Sequence, residues 1–310
     1  MKKILFLGTT SLSYQVLSEI IKSKKIEISG IVTGEAHFNI SYSKEPVKNY
    51  NFSDLSVLGA SSNIPTFIMR HGMKDPLLSD WISGLDFDYI LVVGWYHMIP
   101  KSWILDFKCL GIHASLLPYY RGGAPLVWAL LNGETETGVS LFNMDNGVDT
   151  GPVIAQSRIP ISEDETIASL LKKVSVETVT LCLEVLPGFE ILPEYSQRVR
   201  EPGSIFPQRK PEDGRIDPNI SVLGLSRSIR AQTRPYPGAY LEKKGKKLYL
   251  WNCAQSFLSE KSLNLGELVQ LDNAIGIQCT DGILAVTEYS LLADNIEIFD
   301  SKQIKKIWSV

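Results

Sequence analysis

The sequence predicts an α/β fold for its first part, with a mostly parallel sheet covered on both faces, and a small, mainly β, barrel-like domain for its last part. Three observations carry this. Short apolar runs alternate with helical periodicity through the first 186 residues. Composition shifts to proline, glycine and charge over residues 187–211. Beyond that, one helical stretch is followed by short strands punctuated by glycine turns. The expected division is a domain at residues 1–186, a linker at 187–211 and a second domain at 212–310.

Residues 4–7 are an apolar run ending in Gly8-Thr9-Thr10-Ser11, after which Val16, Leu17, Ile20 and Ile21 fall on one helical face. That reads as strand, turn and helix. Residues 26–32, 66–69 and 89–93 read as further strands, the last apolar throughout, as a strand buried on both faces is. The Gly8 turn lacks the second and third glycines of G-x-G-x-x-G, which argues against a nicotinamide or flavin cofactor. Residues 109–112 and 139–142 read as strands joined through a helix-like segment at 124–131, and residues 153–159 as another strand. Ser162 and Glu165 have capping-box spacing for a helix with Ile167, Leu170, Leu171 and Val174 on its apolar face, which closes the first domain. Pro187, Pro193, Pro202, Pro207 and Pro211 mark the linker. Residues 220–233 then read as a helix, and Lys244-Gly245-Lys246 and Asp281-Gly282 as turns between strands.

A chain of 310 residues accommodates two domains with ordinary cores. Its formal charge of −3 gives no global attraction to a polyanion, so nucleic-acid contact would need a local basic patch. Cys109, Cys182, Cys253 and Cys279 are scattered without a C-x-x-C pair, which signals neither a zinc site nor a disulfide framework. The N-terminal apolar run ends at Gly8, too soon for a signal peptide, and no segment approaches the roughly 20 apolar residues that span a bilayer. A cytoplasmic protein is expected.

Chemistry concentrates between Gly111 and Gly151. His113-Ala-Ser-Leu-Leu-Pro118 is followed by Arg121-Gly122, an apolar segment, and Asp149-Thr150-Gly151, with Asp149 36 residues after His113. A histidine able to exchange protons near neutral pH and a carboxylate able to orient it suit general acid–base chemistry at a carbonyl. This combination resembles the signature of the folate-dependent formyltransferases, which include methionyl-tRNA formyltransferases, nucleotide-sugar N-formyltransferases and the hydrolase domain of 10-formyltetrahydrofolate dehydrogenase. The resemblance extends to the Gly8 turn, Val93-Gly94-Trp95, Ile229-Arg230-Ala231 and Pro235-Tyr236-Pro237-Gly238. It implies a Rossmann-like first domain and an OB-like β-barrel second domain that helps to bind the acceptor.

The resemblance further implies 10-formyltetrahydrofolate as formyl donor, no metal, and transfer to a primary amine. His113 would stabilise the developing oxyanion or move a proton, and Asp149 would hold its ring. The folate would lie against residues 92–100, with Val93, Gly94, Trp95, Met98 and Ile99 on one wall and Ser115, Leu117, Pro118 and Asp145 on the other. Arg121 is expected to anchor its loop by hydrogen bonds. One departure stands out: Gly111 occupies the position where the family usually has an asparagine whose amide donates to the oxyanion, a loss on the order of 3 kcal/mol of transition-state stabilisation. The dehydrogenase-associated hydrolases depart there too. Asn143, Asn146, a backbone N–H or a water are the alternatives.

For the acceptor, residues 34–48 align with the region where methionyl-tRNA formyltransferases carry a basic insertion, yet they hold only Lys44 and Lys48 against Glu35 and Glu45. Arg227, Arg230, Arg234, Lys243, Lys244, Lys246 and Lys247 add positive charge later, the lysines at a turn that reads as solvated. A nucleotide-linked amino sugar needs only a few cations and is the favoured acceptor. Initiator tRNA is the alternative, followed by hydrolysis of the folate and by folate binding without catalysis. Tyr119, Tyr120 and Trp128 could stack on a base or sugar or pack in the core. A homodimer stays open, and no membrane partner is expected.

Overall fold

The computed structural model describes residues 1–40, 45–197, 203–258, 263–293 and 296–308; Lys44 and Pro202 lie outside them. The chain divides into two compact units, one of residues 1–125, 136–160 and 171–206, the other of residues 126–135, 161–170 and 207–310.

The first unit opens with β1 (Lys3–Leu7), α1 (Ser11–Ser23) and β2 (Glu27–Gly34), then a two-residue hairpin of β3 (His37–Phe38) and β4 (Val47–Lys48). It continues through α2 (Ser56–Ser62), β5 (Thr66–Met69), α3 (Pro76–Ser83), β6 (Tyr89–Val93), α4 (Lys101–Asp106), β7 (Cys109–His113) and β8 (Arg121–Gly122). Next along the chain come α5 (Pro125–Asn132), which from residue 126 belongs to the second unit, then β9 (Glu136–Asn143), β10 (Val153–Pro160), α6 (Ile167–Val185), which belongs to the first unit from residue 171 on, and β11 (Ile205–Phe206). The main sheet has the order β10-β9-β7-β6-β1-β2-β5, parallel from β7 to β5 and antiparallel for β9 and β10. Strand β6 is buried at all five positions, which is why it reads as an unbroken apolar run.

From β1 the chain builds β2 and β5 on one side and then returns to build β6 and β7 on the other. The carboxyl ends of β1 and β6 therefore flank the topological switch point, where open α/β sheets form their ligand crevice. One face of this sheet is sealed by Leu5, Leu7, Val32, Leu78, Ile82, Ile90, Val92 and Trp103, all buried.

Two sequence-derived boundaries move. The segment expected as linker starts within the first unit: Tyr195 and Val153 exchange backbone hydrogen bonds of 2.7 and 2.9 Å, and β11 pairs in parallel with β8. The capping box of α6 also shifts. Ser162 and Glu165 do bond, but they form a turn, and Thr166 and Ser169 cap the helix, with Ser169 N–H donating to Thr166 Oγ1 at 3.2 Å and Thr166 N–H to Ser169 Oγ at 3.1 Å.

In the second unit, α7 (Val222–Gln232) is capped by Ser221, whose Oγ accepts from Gly224 N–H at 3.0 Å. The strands β12 (Ala239–Lys243), β13 (Lys246–Leu258), β14 (Leu268–Gln270), β15 (Ile275–Gln278), β16 (Ile283–Ala293) and β17 (Ile296–Ile298) form a six-stranded antiparallel sheet, and α8 (Ser301–Trp308) follows. Lys244 and Gly245, at φ +49° and +76°, make the tight turn between β12 and β13 that their sequence predicts. Register shifts interrupt the pairing of the 13-residue β13 with β16, and its Leu248 and Leu250 share a buried core with Leu225, Ile229 and Leu291.

All four cysteines are free, and burial pushes Cys109 and Cys182 up to about 12 and Cys279 up to about 11, so these thiols stay protonated. No helix among the described residues is long and apolar enough to cross a membrane.

Candidate active site

The floor of the site is the meeting of two strand ends. Thr10 caps α1 in a reciprocal box with Ser13, and the Ser13 hydroxyl also donates to the Val93 carbonyl at 2.6 Å. Thr9 N–H donates to the Gly94 carbonyl at 3.3 Å. Gly94 sits at φ +56°, and a Cβ there would run into the Thr10 hydroxyl, so both conformation and space demand glycine.

The segment expected to line the folate runs on from this strand end. Val93 is wholly buried, and its carbonyl is taken by the Ser13 hydroxyl. Ile99 is buried, whereas Met98 is 54% exposed. The Trp95 indole N–H is buried without an acceptor. His97 packs between Phe38, with ring centroids 5.0 Å apart, and Trp95, at 5.6 Å. Burial lowers its pKa from the usual 6.5, so the fold holds the neutral ring. The unfolded chain then takes up a proton that the folded chain resists, and this contribution favours folding less as pH falls below 6.5. Thermal unfolding followed between pH 5 and 8 should show a shallower acid-side loss in His97→Phe than in the wild type; parallel curves would remove His97 as the cause.

His113 ends β7 opposite Ser140 of β9 and is 9% exposed. Its Nε2 lies 2.7 Å from the Tyr120 carbonyl, and its Nδ1 lies 3.5 Å from Asp149 Oδ2. Both neighbours are acceptors, so whichever ring nitrogen carries the proton faces one. Asp149 has φ +53°, and the Gly122 N–H donates to its Oδ2 at 2.8 Å, fixing the carboxylate beside the imidazole. The two residues that the sequence singles out for catalysis are thus brought together.

The other wall residues divide. Ser115 is 1% exposed, and its hydroxyl donates to the Tyr119 carbonyl at 2.6 Å, closing the turn after His113. Leu117 is buried with Phe142 and Val153; its N–H donates to Ser140 Oγ at 3.1 Å and its carbonyl accepts from Gln156 at 2.9 Å. Both lie in the interior and shape the loop, while Pro118 is half-buried. Asp145 Oδ1 accepts from Gly147 N–H at 2.9 Å and from the Thr150 hydroxyl at 2.6 Å, organising the turn that leads to Asp149.

Gly111 pairs with Phe142 across β7 and β9. A Cβ at this position would stand 2.7 and 2.8 Å from two Phe142 ring carbons and 3.2 Å from Met144 Cγ, so the ring already fills the space of a side chain. Asn143 does not replace the missing donor: its Nδ2 donates to Glu194, and its Oδ1 is buried without a partner. Asn146 is exposed in the Asp145 turn.

Sequence reasoning missed the segment that braces this loop. Arg121 Nε and Nη2 donate to Gln197 Oε1 at 3.0 and 2.8 Å, which gives Arg121 the anchoring contacts expected of it. Gln197 Nε2 donates to the carbonyls of Asp149 and Gly151 at 3.0 and 2.6 Å. Tyr120 N–H donates to Ser204 Oγ at 2.8 Å, and the Tyr120 ring stacks on Phe206 at 4.8 Å, so one face of that ring is already covered. In the second unit, Trp128 Nε1–H donates to the Pro207 carbonyl at 3.1 Å, under the Arg209 guanidinium at 4.8 Å.

The profile of the family described as Formyl transferase matches residues 2–186, and that of Formyl transferase, C-terminal domain, matches residues 209–297. The chain belongs to the formyl transferase family. A methionyl-tRNA formyltransferase of Geobacter sulfurreducens is 32% identical to this formyl transferase over 302 residues, covering 93% of this chain and 89% of the relative. Among solved structures, a variant of HypX from Aquifex aeolicus superimposes with a TM-score of 0.68 at 22% identity, over 99% of this chain and 49% of HypX. The formyl transferase thus spans about half the length of HypX. WlaRD, a sugar 3N-formyl transferase crystallised in the presence of dTDP and 5-N-formyl-THF, superimposes with a TM-score of 0.63 at 21% identity, over 93% and 98% of the two chains. These two likenesses show the shared fold.

Among the described residues no group of three or more His, Cys, Asp or Glu is placed to hold a metal ion.

Proposed function

We propose that this formyl transferase moves the formyl group of 10-formyltetrahydrofolate to the amino group of a nucleotide-linked amino sugar. The observation that carries the catalytic part is the His113–Asp149 pair at the carboxyl end of β7, beside the switch point of a formyl transferase domain. A folate suits the residues present. Met98, Tyr119 and Val148 leave apolar surface exposed on three of the segments that carry the motif, and the unpaired Trp95 N–H adds a donor on the proposed wall.

The amine nitrogen bonds to the formyl carbon, the bond from that carbon to the folate nitrogen breaks, the amine loses a proton and the folate nitrogen gains one. His113 serves this exchange in two ways. A formyl oxygen taking the place of the Tyr120 carbonyl at Nε2 exchanges a neutral acceptor for a developing anion, and that charge-assisted bond strengthens toward the transition state. The same ring nitrogen can pass a proton toward the leaving nitrogen, with Asp149 stabilising the charged ring. Gly111 offers no side-chain donor, so His113 carries more of the oxyanion stabilisation here than in relatives with an asparagine.

A small acceptor is supported by how the cations of the second unit are used. Arg230 donates to the Glu165 carbonyl, Arg234 pairs with Glu288, Lys243 and Lys246 donate to the carbonyls of Trp308 and Ile307, and Arg215 pairs with Glu242. In the first unit Arg70 pairs with Glu35. Cations bound in this way make a weak stripe for a polyanion. The second reading, an initiator tRNA acceptor, is favoured by the sequence relatives, which carry the name methionyl-tRNA formyltransferase at 29–35% identity.

The test is tetrahydrofolate release from 10-formyltetrahydrofolate with no acceptor, with a panel of nucleotide-linked amino sugars, and with methionyl-tRNA. Stimulation by a sugar nucleotide is expected. Stimulation by methionyl-tRNA alone transfers the assignment to the second reading, and equal release without acceptor makes the protein a hydrolase.

A further inference from the structure

We propose that Gln197 is a positioning residue that holds the Asp149 carboxylate against His113, so that a segment whose composition marks it as linker completes the active site. The inference rests on reading His113 and Asp149 as the catalytic pair.

Gln197 is 8% exposed, and its amide is saturated. The oxygen uses both lone pairs on Arg121 Nε and Nη2, and the nitrogen uses both hydrogens on the carbonyls of Asp149 and Gly151. Three segments far apart in sequence therefore converge on one side chain. Arg121 precedes Gly122, whose N–H binds Asp149 Oδ2, and Gln197 binds the carbonyl of Asp149 itself. One amide thus sets the spacing between the carboxylate and the backbone donor that orients it.

Backbone conformation gives this brace something to hold. Asp149 stands at φ +53°, a left-handed conformation that aspartate adopts more readily than most residues with a Cβ but still one that its surroundings steady. The two Gln197 hydrogen bonds fall on the carbonyl of the peptide that follows Asp149 and on the carbonyl of Gly151, so they bracket Thr150. The same stretch of chain steadies the other His113 contact, since Ser204 Oγ accepts from the N–H of Tyr120, whose carbonyl meets Nε2.

Gln197→Glu tests the brace at nearly constant volume. It keeps acceptors for Arg121 and replaces the donating NH2 by an oxygen that faces two carbonyls. Gln197→Ala removes both halves and serves as the stronger variant. With the acceptor that supports turnover, kcat/KM of Gln197→Glu should fall about tenfold or more, the magnitude of a small misplacement of a catalytic group. The fall should lie in kcat, with KM for the folate held within about threefold. The long-range 15N–1H spectrum of the His113 ring, assigned by its loss in His113→Ala, should move in Gln197→Glu without any substrate present. A smaller fall, a fall carried by KM, or a ring spectrum unchanged in both Gln197 variants overturns the proposal. If His113→Ala keeps its turnover, the catalytic reading fails instead, and the ring spectrum separates the two failures.

Discussion

His113→Ala is expected to lower turnover by at least about 100-fold, the lower end for removing a group that transfers a proton. The loss should be large here for a structural reason. Gly111 offers no side-chain donor near His113, and the Asn143 amide donates to Glu194, so neither is placed to share the oxyanion with the imidazole. Folding should survive the change, since the histidine gives up one contact to a backbone carbonyl and one 3.5 Å approach to Asp149. The comparison to make is single-turnover transfer together with folate binding. Retained binding with lost transfer identifies His113 as catalytic, and a fall under tenfold sinks that assignment. Because the two side chains act as a unit, His113→Ala combined with Asp149→Ala should cost little more than His113→Ala alone.

Much of this architecture is legible in the sequence because burial writes itself as pattern. A parallel strand covered on both faces must be apolar throughout, and residues 89–93 are. A tight two-residue turn between antiparallel strands needs positive φ twice, and Lys244-Gly245 supplies it. The proposed catalytic pair stands out as a motif, and the fold brings the two residues that the motif marks to 3.5 Å of each other. What sequence hides is contact between distant segments. The pairing of β8 with β11 involves two residues on each side, too few for periodicity, and Gln197 is one polar residue in a proline-rich stretch. Ser115 and Leu117 show the converse. They belong to the signature, which marks them as functional, yet their hydrogen bonds to Tyr119, Ser140 and Gln156 show that they build the loop from within. The capping box moved by four residues because two pairs with the same spacing, Ser162 with Glu165 and Thr166 with Ser169, follow one another, and only the second meets the first helical turn.

Gly111→Asn restores the asparagine common in the family and should nevertheless damage the protein. The new Cβ would approach the Phe142 ring to 2.7 Å, closer than side chains pack, before the amide is added. Phe142 is buried with Leu117 and Val153 beside the very turn that follows His113, so relief by moving the ring disturbs the catalytic loop. Overpacking of this kind costs about 2–3 kcal/mol, which for a domain of this size lowers the midpoint of thermal unfolding by roughly 5–10 °C. Turnover should fall or stay level, since the donor cannot reach its place while the ring holds it. Pairing the change with Phe142→Ala makes room, and the double variant should recover part of the stability lost by Gly111→Asn while Phe142→Ala alone destabilises the core. A single Gly111→Asn variant that is as stable as the wild type and turns over faster would mean that the Phe142 ring yields freely. Gly111 would then be a dispensable loss of a donor. Glycine that is required by the ring instead makes Gly111 and Phe142 a matched pair, and the added weight on His113 follows from packing.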